Sequence, residues 1–88
     1  MKIKEGFALK NVAGSWVVLP LAVKNLDFTG MLSLNETGRM LWLLLEEGVS
    51  REDMAKALTE EYEVSYERAL ADVDVFLDKL VQTGCVEL

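Results

Sequence analysis

Leu32-Ser33-Leu34-Asn35-Glu36-Thr37-Gly38 is the stretch on which the fold turns. Its first three residues alternate apolar, polar, apolar, the period of a half-buried strand. Asn35 carries a side-chain oxygen that accepts a bond from a free amide at a helix start. Glu36 sits favourably in the first turn of such a helix. Gly38 weakens a helix, so its place here points to close packing against a strand. The run Met40-Leu41-Trp42-Leu43-Leu44-Leu45 follows, apolar all round. A helix carries such a run only when it is buried on more than one side. The stretch therefore reads as a junction from an edge of sheet into a buried helix.

Working upstream, Phe7, Leu9 and Val12 indicate a first short strand, after a tail. Ala13-Gly14-Ser15 supplies a turn. Trp16-Val17-Val18-Leu19 makes a second strand, closed by Pro20, and the two form a hairpin. Asn25, Asp27 and Gly30 favour turns, while Val23, Leu26 and Phe28 can still cover the core. Met31, Leu32, Ser33 and Leu34 form the third strand, with Met31 and Ser33 on one face and Leu32 and Leu34 on the other.

Downstream, Gly48 ends the first helix. Ser50 and Asp53 resemble a capping box for the second, and Val49 with Met54 forms its hydrophobic staple. Met54, Ala55, Leu58 and Tyr62 are its apolar stripe. The third helix starts near Ser65 and runs to about Thr83, with Ala69, Leu70, Val73, Phe76, Leu77, Leu80 and Val81 at helical spacing and Gly84 as its stop. Residues 85–88 return as a short terminal strand. The fold class is α+β and winged-helix-like: three short N-terminal β-strands followed by three α-helices in a single domain over residues 1–88.

Composition narrows the function. Hydrophobic residues make up 51% of the 88, enough for a core and against disorder. The net charge of −6 repels phosphate backbones. The second and third helices have helix-turn-helix spacing, but the third opens on Ser65, Tyr66, Glu67 and Arg68 and continues with Asp72, Asp74 and Asp78, a poor lining for a major groove. There is no histidine, so the commonest acid–base group and metal ligand is missing. No phosphate loop, dinucleotide fingerprint or catalytic constellation is present, and the chain reads as non-enzymatic, with no cofactor and no metal. Cys85, the single cysteine, reads as a buried structural thiol, and Trp16 and Trp42 as packing residues. No signal peptide is readable and residues 40–45 are too few to span a bilayer, so the cytoplasm is the expected compartment.

The block Leu34-Asn35-Glu36-Thr37-Gly38, followed by Leu41-Trp42, closely resembles the PqqD family. Gly14 and the segment from Trp16 to Pro20 resemble it upstream. Gly48-Val49-Ser50, Leu58, Tyr62, Val73, Phe76-Leu77, Leu80 and Gly84 do so downstream. The resemblance implies a peptide chaperone, a recognition element for ribosomally made, post-translationally modified peptides. Such proteins bind the leader region of a precursor peptide and deliver it to a modifying enzyme, often a radical S-adenosylmethionine enzyme. The family fold is three strands and three helices, and the leader lies as an added strand against the third strand, in a groove shared with the third helix. The chain looks like a free-standing version of that domain. The block is widespread across pathways, so it names neither the peptide nor the product.

Mapped onto this chain, the implied peptide site is the backbone of Met31, Leu32, Ser33 and Leu34 with the helix of residues 65–83. An exposed strand edge presents unpaired amides and carbonyls that an extended peptide satisfies. Backbone pairing gives registry, so selectivity falls to helix side chains. Val73, Phe76, Leu77 and Leu80 are the apolar candidates. Leu70, Val73, Leu77 and Leu80 form one stripe, expected to hold the core, and Ala69 and Phe76 on its flank are expected to serve the groove. Asp72 and Lys79 lie on nearly one face and are expected to sort leaders by charge. The alternative readings are a winged-helix DNA-binding regulator, or a protein–protein adaptor using Trp42 or residues 21–30. A free sheet edge also permits a homodimer.

Overall fold

The hairpin sets the sheet. In a computed structural model, which describes residues 2–3, 6–20 and 32–87, β1 (Lys2–Ile3) is followed by β2 (Phe7–Val12) and β3 (Ser15–Pro20). The last two pair antiparallel from Val12↔Ser15 to Phe7↔Pro20. Their two-residue loop, Ala13 and Gly14, has φ of 53° and 86°. Two successive positive φ values match the right-handed twist of a hairpin. Asn11 Oδ1 accepts a bond from the Gly14 amide at 3.2 Å and closes the turn. β4 (Leu32–Leu34) joins the other side of β3, with Trp16↔Leu34 and Val18↔Leu32. The order is β2-β3-β4. Met31 and residues 21–30, for which a strand end and turns are expected, lie outside the described residues.

The helices are α1 (Glu36–Glu46), α2 (Arg51–Glu61) and α3 (Tyr66–Thr83). Each is capped by the residue its sequence indicates. Asn35 accepts from the Gly38 amide at 2.8 Å, Ser50 from Asp53 at 3.2 Å and Ser65 from Arg68 at 3.1 Å. Gly84 ends α3 in the left-handed conformation at φ 83°, which glycine adopts without a Cβ clash. Three antiparallel strands then three helices is the α+β arrangement the sequence indicates. The N-terminal tail corrects that reading: its Lys2–Ile3 pairs with β5 (Val86–Glu87) as a second, two-stranded sheet. Two residues at each end of the chain are too short for any periodic signal, and only the tertiary fold brings them together.

The core lies between the helices and one face of the larger sheet. Val18, Leu32 and Leu34 meet Leu41, Trp42 and Leu45 of α1, Met54, Ala55 and Leu58 of α2, and Ala69, Val73, Phe76, Leu77 and Leu80 of α3. Trp42 is 1% exposed, while Leu43 in the same apolar run is 39% exposed, so α1 turns most of that run into the core but not all of it. Cys85 is fully buried. Trp16 is half-buried and carries the Arg39 guanidinium 4.3 Å above its ring, a stacking that shields the apolar face of the indole. No helix among the described residues is long and apolar enough to cross a membrane.

Outside the core, α2 is tied to α3 by a forked ion pair. Arg51 Nη2 donates to Asp74 Oδ2 at 2.8 Å and Nε donates to Oδ1. The Arg51 hydrogen bond holds the Asp74 carboxyl below its ordinary value of 3.8. A pKa lowered by folding stabilises the fold above the unfolded value, and that contribution is lost as pH falls through the folded value. Asp74→Asn is therefore expected to lower stability modestly at neutral pH, since the pair is half exposed. In urea titrations across pH, its difference from the parent should close as the pH drops below 3.8. Ala13 gives a second expectation. Its left-handed backbone strains an alanine and suits asparagine, so Ala13→Asn should raise stability by about 1 kcal/mol, measured by the same titration.

Candidate functional site

The cap at the strand-to-helix junction shapes the site. The Asn35 bond to the Gly38 amide folds the first turn of α1 back over the end of β4. Gly38 is buried there. A Cβ at this position would lie 3.3 Å from Asn35 Oδ1 and 3.4 Å from Leu34 Cβ, tighter than side chains normally pack. The missing side chain lets β4 and α1 approach closely and leaves the space beyond them open.

That space is a groove of about 550 Å³. Ser33, Leu34, Asn35, Thr37, Gly38 and Leu41 form one wall, and Asp72, Val75, Phe76 and Lys79 of α3 form the other. β4 is the outermost strand of its sheet, and among the described residues no strand pairs its second side. An unpaired strand edge is a template for another extended chain. The groove thus offers backbone hydrogen-bonding groups on one wall and a mixed apolar and charged helix face on the other.

The site residues expected from sequence divide between groove and core. Ser33, Leu34, Asp72, Phe76 and Lys79 line the groove. Leu32 is buried beneath it at the edge of the core. Ala69, Val73 and Leu80 have no exposed surface and do not line it; their side chains are spent on the core. Met31 lies outside the described residues. The helical wheel gives the reason. Taking Asp72 as origin at 100° per residue, Lys79 lies at roughly −20° and Val75 at roughly −60°. Ala69, Leu80, Val73 and Leu77 fall between roughly 60° and 140°. Phe76, at roughly 40°, stands on the boundary, packs in the core cluster and also lines the groove. Ala69 lies about 20° from both Phe76 and Leu80, so packing and not angle puts it in the core.

Val75, Thr37 and Leu41 are lining residues that the sequence reading missed. Val75 carried a usable signal. It is an apolar residue on the polar arc of α3 and is 70% exposed. Thr37 and Leu41 gave none, since their place follows from how α1 packs. The charges at the site are asymmetric. Asp72 Oδ1 accepts from Arg68 Nε at 3.3 Å, one turn earlier on the helix. Lys79 has no ion-pair partner among the described residues.

Comparison with known proteins gives the fold a context. Residues 15–86 match the family model described as coenzyme PQQ synthesis protein D (PqqD). The solved structure of TbiB1 in complex with the TbiA(beta) leader peptide is similar with a TM-score of 0.81 at 28% identity, covering 99% of this chain and 95% of that one. Lasso peptide synthetase B1 complexed with the leader peptide is similar with a TM-score of 0.78, covering 94% of this chain and 92% of that one. At 24% identity it supports the fold alone. No curated protein sequence matches the chain significantly.

The crowding at Gly38 is testable. Alanine is ordinarily favoured over glycine within a helix by about 1 kcal/mol. Gly38→Ala is expected to lose that gain against Asn35 and Leu34, leaving stability in urea unchanged or reduced.

Proposed function

The chain belongs to the family of coenzyme PQQ synthesis protein D, and on that footing we propose that it binds the leader region of a ribosomally made precursor peptide. The peptide enters as an extended strand along β4 and is presented to a modifying enzyme such as a radical S-adenosylmethionine enzyme. The protein acts by binding and performs no chemistry of its own, and it works in the cytoplasm beside its partner enzyme. One observation carries this reading. An unpaired strand edge and an exposed helix arc form opposite walls of one groove. The likeness to TbiB1, whose structure holds a leader peptide, supports it independently.

The physical chemistry follows strand addition. Main-chain bonds to β4 give affinity without sequence choice, and alternate peptide side chains meet the groove or point away from it. Leu34, Leu41 and Phe76 give the groove an apolar floor, and Val75 extends it to the rim. Burying apolar peptide side chains against that floor is worth roughly 25 cal/mol per Å², partly offset by the ordering of the peptide. The DNA-binding alternative fits poorly with the same helix. Its first turn presents Glu67 as well as Arg68, and Asp72, Asp74 and Asp78 follow along the helix.

The reading is tested by titrating an isotope-labelled sample with candidate leader peptides. Amide shifts are expected at Leu32, Ser33 and Leu34 and along α3 from Asp72 to Lys79. Perturbations gathered at residues 65–68 with steep salt dependence belong to nucleic-acid binding and contradict it. Val75→Gln removes exposed apolar surface from the groove only. It is expected to weaken peptide binding by roughly threefold to tenfold with no loss of thermal stability.

A further inference from the structure

We propose that the groove selects its peptide by a charge register: a basic, an apolar and an acidic residue at successive alternate positions, met by Asp72, Phe76 and Lys79. The proposal rests on the reading that an extended peptide occupies this groove, and it names which peptides do.

The spacing comes from two periodicities. Asp72 and Lys79 are separated by almost two helical turns, which places them on nearly one face and about 10 Å apart along α3. Phe76 lies between them, and all three line the groove. Along a strand, only every second side chain faces the same wall, and two residues advance about 6.7 Å. Positions two apart fall short of the two charges, and positions three apart face opposite ways. Positions four apart span about 13 Å, an excess that the long side chains of lysine, arginine and glutamate absorb. The residue midway between them then faces Phe76.

The two charged groups are available in different degrees. Lys79 is exposed and without an ion-pair partner among the described residues. Asp72 is bridged by Arg68, whose side chain is 71% exposed and is released to water at little cost. A peptide cation at Asp72 therefore competes with Arg68, while a peptide anion at Lys79 meets no competitor among the described residues. The overall charge of −6 attracts any basic peptide, so Lys79 is the group that converts general attraction into a register.

The test uses three fluorescein-labelled peptides with a common threonine-rich frame: Lys-Thr-Leu-Thr-Glu, its charge-reversed partner Glu-Thr-Leu-Thr-Lys, and a neutral version with glutamine at both ends. Binding is read by anisotropy at low salt. One charged order is expected to bind about tenfold tighter than the other, and the preferred order reports the polarity of the added strand. The double variant Asp72→Lys with Lys79→Asp is expected to invert the preference. Arg68→Gln is expected to tighten the preferred peptide, an effect that a purely structural role for Asp72 does not produce. Equal affinities for the two orders, with amide shifts still at Leu32 to Leu34, overturn the register and leave the groove reading intact. Absence of binding by every peptide and by natural leaders overturns both.

Discussion

The structure depends on one short contact, the hydrogen bond from the Gly38 amide to Asn35 Oδ1. It satisfies an otherwise unpaired amide at the start of α1 and bends the chain sharply out of β4. The bend is eased because Gly38 has no Cβ to crowd Asn35 Oδ1, which it would approach to 3.3 Å. From that contact follow the direction of α1, the burial of Trp42 and Leu45 against the other helices, and the open wall that faces α3. The recognisable residues of the junction are thus scaffold first. They line the groove because they build its wall.

The second constraint falls on α3, which serves the core and the groove together. Its apolar arc is filled by Ala69, Val73, Leu77 and Leu80, and its polar arc carries Asp72 and Lys79. Phe76 stands where the arcs meet, buried to 8% exposure yet reaching the groove. On the proposed reading, a change there is expected to disturb stability and recognition at once, whereas a change at Val75, set farther around the helix and exposed, is expected to affect recognition alone. The Arg51–Asp74 fork holds this helix against α2 from the opposite side and keeps its orientation without using groove residues.

The parts of this molecule legible in its sequence are those that local chemistry decides. The three caps at Asn35, Ser50 and Ser65, the Ala13-Gly14 turn and the stop at Gly84 each rest on residues within a few positions of one another, and the membership in the PqqD family rests on a pattern spread over residues 15–86. The pairing of Lys2–Ile3 with Val86–Glu87 was not legible, because each piece is too short for periodicity and the partners stand at opposite ends of the chain. The division of labour on α3 was legible in outline only. An apolar stripe with a flank was evident, but Ala69 and Phe76 look equivalent until the tilt of the helix against the sheet is known. Packing buried the first and left the second at the boundary. Val75 shows the converse, an apolar residue whose meaning comes from its exposure.

The central claim is that an extended peptide becomes the fourth strand of the β2-β3-β4 sheet. Isotope-filtered nuclear Overhauser measurements on the protein with a bound leader peptide test it most directly. The account predicts alternating backbone-to-backbone contacts between the peptide and Leu32, Ser33 and Leu34, with side-chain contacts from every second peptide residue to α3. A peptide that touches α3 but shows no backbone contact to β4, or that binds as a helix, would contradict it.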